Sequence, residues 1–438
     1  MPVARQADDR TEEQGSIARS TVGQNIVETY TTRILVIAGG FVTTVIISRI
    51  LGPSGRGLFA VAAAIGAIGI QFGNVGLHAS NTYYVAKDRE LLPVLVGNTL
   101  VVSFGLGGIA VLIGWIVASM LPNIAPVHGP LLALALAWIP FGLAYLLLQN
   151  LLLGVDKVRA YNGIELASKA IGLILVGLAI WSRRTSPEIM FAATMAALVI
   201  SLCLVLWKLH KLLHRPACLS LSVFRQHVGL GMRAYLIAFF GFLLMRVDLL
   251  MVKYMLGAQA TGYYSISETM AENILTFPVV VGTILFPKLS GMTQSTARLH
   301  LTRKAAFVTA ALMIPIVILA SVLAKPMIQL VFGKSFLPAV APFIWLMPGS
   351  FFLSIEIVVV QYLNSLGFPK VIAYSWLVVT ALNIGINLWA IPAYGINGAA
   401  IVSTVTYFLI FLFILAVIYS SNRSEKAAIS HEVPQYTT

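Results

Sequence analysis

In the largely apolar stretch RVDLLMVKYMLGAQATGYYSISETMAE, four charged side chains stand apart from the turn-proximal Lys253: Arg246, Asp248, Glu268 and Glu272. Arginine presents a planar fork of N–H donors that grips a phosphate or carboxylate through two parallel bonds. Glu268 and Glu272 are four apart, so a helix puts both on one face, while Asp248, two residues from Arg246, points substantially away from it. The spacing pairs Arg246 with one of the two glutamates and leaves an acid in excess, which suits a group whose charge state changes during a cycle. A buried ion pair locking two helices is the plainer use of the same residues. Glu356 is a further acid with no local counter-charge and is a second coupling candidate. Arg33 and Arg49 bracket an earlier apolar run, with Arg49 near its outer end, where snorkelling competes with substrate contact. Asn74, His78, Asn81 and Tyr84 recur at helical spacing and offer a face for sugar hydroxyls or for another helix. No metal set is expected; His210 and His214 are four apart but lie in a polar linker.

These residues need a scaffold, and the composition says which solvent it was built for. Hydrophobic residues are 58% and charged residues 10% of the 438, with a mean hydropathy of +0.89, far from the roughly 25% charged of a soluble domain. Crossing a hydrocarbon core takes about 20 apolar residues as helix, and twelve such runs can be counted between residues 31 and 420. The chain is an all-α integral membrane protein. The run at 165–181 is the weakest, being short and opening with Glu165 and Lys169. An ionisable group inside a span costs about 2.5 to 3.5 kcal/mol on insertion scales and tends to face a bundle interior or wet cavity. Arg246, Glu268 and Glu272 lie about 13 to 20 Å from the end of their hairpin at 1.5 Å per residue, and so share the middle of the membrane.

Lys and Arg set the orientation. With twelve spans one set of loops carries most of the basic residues, while the other holds only Arg56, Arg183, Arg184, Lys253, Lys325 and Lys334. Both termini are therefore expected in the cytoplasm, and the formal net charge of +13 reflects inner loops rather than nucleic acid. The opening residues lack an apolar core and read as a solvated tail, not a cleaved signal. Cys203 and Cys218 fall in a span and on the cytoplasmic side, where disulfides rarely persist. There is no phosphate loop, no HExxH and no long outer loop for catalytic groups. No enzyme activity and no cofactor are expected.

The chain also repeats itself. LGPSGRGLFA at 51–60 returns as LGAQATGYYS at 256–265, a shift of 205 residues that superposes Gly52 on Gly257, Gly57 on Gly262 and Phe59 on Tyr264. In each half the motif closes the first span and opens the second. A left-handed glycine cap would end one helix and a second glycine would let the next pack closely. Six spans per half make the repeat parallel. At the same offset Arg246, Glu268 and Glu272 fall on Phe41, Ala63 and Ala67, so the scaffold is duplicated and the charge is not. The expected organisation is a polar tail at 1–27, an N-lobe at 28–207, a basic linker at 208–229, a C-lobe at 230–420 and a second tail at 421–438.

The stretches ISRILGPSGRGLFAVAAAIGAIGIQFGNVGLHASNTYYVAK (47–87), FPVVVGTILFPKLS (277–290) and YGINGAAIVSTVTY (394–407), with the charged segment above, resemble the polysaccharide biosynthesis flippases, the Wzx-like branch of the multidrug/oligosaccharidyl-lipid/polysaccharide exporter superfamily. The likeness runs from about residue 28 to 420. It implies two six-helix lobes, V-shaped around a central cavity, in a bacterial inner membrane. It also implies outward movement of an undecaprenyl-diphosphate-linked oligosaccharide by alternating access, beside glycosyltransferases and a polysaccharide polymerase. Arg246, Arg33, Arg49, Asn74, Asn81 and Tyr84 would then meet the substrate. Glu268, Glu272, Asp248 and Glu356 would couple transport to a proton or sodium ion. A lipid-linked peptidoglycan precursor flippase or a cation-coupled drug exporter of the same superfamily remains open, although cationic drugs would favour carboxylates without basic companions.

Overall fold

A computed structural model describes residues 3–120 and 125–432, without the side chains of 3–27, 29–30, 227, 230, 231, 233 and 421–432. The side chains of the two expected polar tails thus lie outside the described residues. The helices are α1 Val3–Asn74, α2 Leu77–Lys87, α3 Leu92–Met120, α4 Gly129–Gly154, α5 Val158–Trp181, α6 Pro187–His210, α7 Leu221–Leu244, α8 Val247–Ser290, α9 Ser295–Val331, α10 Val340–Asn364 and α11 Lys370–Glu432. Two short 3-10 turns, Arg89–Leu91 and Lys334–Ala339, complete the described elements, which include no strand.

Nine helical stretches among the described residues are long and apolar enough to cross a membrane. Three of them turn back on themselves, at Gly52, Gly257 and Gly395, which resolves them into twelve spans. The weak fifth span is a full helix, α5, because its polar first turns continue the same helical run back to Val158. Many large apolar side chains face outward, among them Ile109, Leu112 and Ile113 on α3 and Ile318, Leu319 and Val322 on α9. In water that surface would be unfavourable at about 25 cal/mol per Å²; among acyl chains it is the correct exterior.

The turns at Gly52 and Gly257 correct the expectation of a left-handed cap. Their backbones are nearly identical, φ 65 and ψ −178 at Gly52 and φ 82 and ψ −179 at Gly257. Positive φ with ψ near 180° is essentially glycine-only, because a Cβ there strikes the flanking carbonyl. The chain stays extended at this residue and re-enters a helix at once, as a hairpin between two antiparallel spans requires.

The fold divides into two compact units. One comprises residues 1–47, 73–115 and 133–230, and the other 48–72, 116–132 and 231–438. The first is built on Val85, Leu95, Leu148, Leu151 and Val205, a dry seam through α2, α3, α4 and α6. The basic linker is docked onto it: Asn98 donates to the Ser220 carbonyl at 2.9 Å and accepts from the Ser220 amide at 3.0 Å. The second unit is built on Leu285, Val358, Tyr362, Trp376 and Ile410, from α8, α10 and α11. It also holds the first hairpin. A Cβ on Gly57 would lie 1.9 Å from the Ala258 carbonyl oxygen, and one on Gly262 would lie 1.9 Å from that of Pro53. Each hairpin thus presents its second glycine to the other's backbone, the mutual contact of two copies of one motif.

Candidate functional site

The charged cluster sits where a span is broken. Helix α7 ends at Leu244 and α8 begins at Val247, with Arg246 between them at φ −130 and ψ −22. Backbone irregularity at membrane depth is tolerated where it is buried in protein or lines a wet cavity, and discontinuous spans are a pointer to binding sites. Arg246 uses both arms of its fork on Glu272, Nη1 to Oε1 at 2.8 Å and Nη2 to Oε2 at 3.0 Å. Both side chains keep close to a third of their surface, 29% and 30%, so this pair touches open space rather than closed core. Phe242 lies on the other flank of the guanidinium, 5.8 Å from ring centroid to Cζ.

Asp248 is placed differently. It occupies the first turn of α8, where the exposed amides of a helix N-terminus favour an anion, and its Oδ1 accepts from the Leu249 amide at 2.9 Å. Oδ2 accepts from the Tyr264 hydroxyl at 2.6 Å and the Ser403 hydroxyl at 2.8 Å, and only 1% of the residue is exposed. Glu268 is also buried, one turn beyond Tyr264 on α8. The two glutamates divide: Glu272 goes to Arg246, and Glu268 stays enclosed beyond Tyr264. The hydrogen bonds of Asp248 go to Leu249, Tyr264 and Ser403.

Tyr264, Ser403 and Arg56 are members that the sequence reading missed. Tyr264 was in view as the partner of Phe59 in the repeat, and the hydroxyl that Phe59 lacks was the available signal. Ser403 arrives from α11, 155 residues after Asp248, and no local spacing announces it. Arg56 was assigned to a loop; it is 7% exposed and directs Nη2 at the Thr269 hydroxyl, 3.4 Å away.

The remaining candidates lie elsewhere. Arg49 donates through Nε to the Val331 carbonyl at 2.8 Å and through Nη2 to that of Leu330, so it caps the C-terminus of α9, where a cation is favoured. Glu356 is buried on α10, and its Oε1 has no hydrogen-bond partner among the described residues. Arg33, Asn74, Asn81 and Tyr84 belong to the other unit. Arg33 is exposed on α1, within electrostatic reach of Tyr161. Asn81 donates to Thr99 at 3.0 Å and is thereby used in packing α2 on α3. Asn74 contacts His78, Nδ2 to Nδ1 at 3.2 Å, beside a second broken span, where Val75 has φ 44 and Gly76 φ 77. A β-branched residue in the left-handed region stores about 1 to 3 kcal/mol. Tyr84 is half-buried and packs edge-on to Tyr83.

Comparison with known proteins places this architecture. The family described as "Polysaccharide biosynthesis protein" matches residues 46–341, more than half of the chain, and the chain belongs to that family. Among solved structures, the lipid II flippase MurJ in an inward closed conformation aligns with a TM-score of 0.73 at 15% identity, over 90% of this chain and 87% of that one. The MATE transporter VcmN of Vibrio cholerae, a point mutant, aligns with a TM-score of 0.62 at 17% identity, over 93% and 98%. At these identities the likeness is one of fold. A curated relative, the uncharacterized membrane protein MJ1068 of Methanocaldococcus jannaschii, is 27% identical over 172 residues, 38% of this chain and 34% of that protein. The match thus spans about a third of that relative's length. The protein is a multi-pass membrane protein of the polysaccharide biosynthesis family, with a fold like that of these transporters.

Proposed function

We propose that this chain moves an undecaprenyl-diphosphate-linked oligosaccharide outward across a bacterial inner membrane, by alternating access, for the synthesis of a surface polysaccharide. The observation that carries the reading is the half-exposed Arg246–Glu272 pair at the broken span, set against the family to which the chain belongs. An arginine already held by one carboxylate can exchange that partner for the oxygens of a diphosphate with little change in geometry. A drug exporter for cations would be served better by bare acids. Both termini are cytoplasmic in this reading and the two hairpins turn at the outer face. The lobes at 28–207 and 230–420 are the moving bodies.

Asp248 and Glu268 are the coupling pair, because two buried acids gathered about Tyr264 form a place where a proton can be taken up on one side and released on the other. A sodium ion can replace that proton among the same oxygens. No ATP site supplies energy in the sequence. The test is flipping of a lipid-linked oligosaccharide in reconstituted vesicles, read by access of an external glycosidase, with and without a pH or sodium gradient. Flipping of the diphosphate-linked lipid but not of a neutral analogue is the expected outcome. Equal transport of both, or gradient-independent flipping that survives Asp248→Asn with Glu268→Gln, would remove the headgroup or the coupling assignment respectively.

A further inference from the structure

Arg56 is the one charged residue of the first hairpin that is buried in the second unit, and its surroundings give it no conventional reason to be there. It precedes Gly57, whose hydrogen atoms are all that separates the first hairpin from the Ala258 carbonyl. From that contact its side chain runs along α8, with Cζ 5.8 Å from the Phe59 ring centroid and Nη2 3.4 Å from Thr269. Its Nε has no hydrogen-bond partner among the described residues. Burying a guanidinium with one weak bond costs several kcal/mol unless charge compensates it. Compensation comes from α8: Thr269, which the guanidinium reaches, follows Glu268 and lies one helical turn before Glu272, and both carboxyls attract Arg56 while Arg246 repels it. The repeat offers no counterpart, since the position equivalent to Arg56 is Thr261.

We propose that Arg56 is the latch of the paired hairpins, a cation carried on the first and drawn into the field of Glu268 and Glu272 on the second, whose release lets the two hairpins part. The glycine contacts make the hairpins fit; the latch makes their engagement depend on the charge of the acids. Anything that cancels the field, a proton or a cation on the carboxyls, or an anion that takes the guanidinium, unlocks them. This rests on the alternating-access reading, but it is tested without transport.

Ser54 and Gln259 are exposed on the two opposing hairpins. Spin labels there, in full-length protein with Cys203→Ala and Cys218→Ala and reconstituted in lipid nanodiscs, report the hairpin separation by pulsed electron resonance. The unmodified Arg56 should give one short distance, and Arg56→Lys should keep it. Arg56→Gln should shift population to a longer distance, and so should Glu268→Gln with Glu272→Gln. Combining all three should add nothing further, because each change removes the same interaction. Glycine packing alone holds the hairpins if Arg56→Gln accumulates as folded protein and leaves the distance unchanged. Should that variant not accumulate, the double glutamine variant decides, and an unchanged short distance in it overturns the latch. Failure of oligosaccharide flipping with these distance shifts intact would count against the substrate and not against Arg56.

Discussion

Arg246 shows how much a single side chain is asked to do. Its bidentate bond to Glu272 is made at partial exposure, so its loss does not carry the full penalty of about 3 to 5 kcal/mol that stranding one member of a buried pair would. Arg246→Ala is therefore expected to abolish oligosaccharide flipping while the protein accumulates in the membrane at near-normal level. Immunoblotting of membranes beside the flipping assay separates the outcomes. Disappearance of the protein itself would mean that the pair is a structural lock and that the anion is met elsewhere. Asp248 provides the contrast, being buried and held by Tyr264 and Ser403, where removal of one member leaves the others unsatisfied.

At the scale of elements the hairpins dominate. A methyl group on Gly57 or Gly262 would meet backbone oxygen at 1.9 Å, and backbone cannot swing aside as a side-chain tip can. Gly57→Ala and Gly262→Ala should each destabilise the protein by about 1 to 3 kcal/mol, the usual cost of overpacking. The double variant should cost less than the sum, since hairpins already separated by one methyl have room for the other. Gly40→Ala is the control: it lies within α1 and its Cβ would meet nothing within 4 Å. Thermal unfolding in detergent measures all four. Full additivity would show that the two contacts are independent rather than two sides of one interface.

For the whole molecule the decisive quantity is orientation. Ser54 is exposed at the first hairpin turn, and the native Cys218 is exposed on the linker that docks against α3. With Cys203→Ala and Ser54→Cys in intact cells, a membrane-impermeant maleimide should label position 54 and leave Cys218 untouched until the cells are opened. The reverse pattern would invert the topology and with it the direction of transport, while leaving the helix count as it is.

Much of this was legible from residue order alone, because the bilayer imposes a one-dimensional rule: each crossing needs a run of about 20 apolar residues, and the runs can be counted. The repeat was legible too, since glycine is required at Gly52 and Gly257 by backbone geometry and at Gly57 and Gly262 by space, and such demands leave a mark at a constant offset. Helical spacing likewise put one of two glutamates within reach of Arg246 across one short hairpin, and the structure chose Glu272. What the tertiary structure decided was partnership over long separations. Asp248 meets Ser403 and Arg49 meets Val331 because α11 and α9 pack beside the hairpins, and nothing local encodes that. Arg56 read as a solvated loop charge because loop membership is assigned by position in the chain. Its burial became visible only when the first hairpin was found lodged against the second, since charge compensation depends on distance in space and not in sequence.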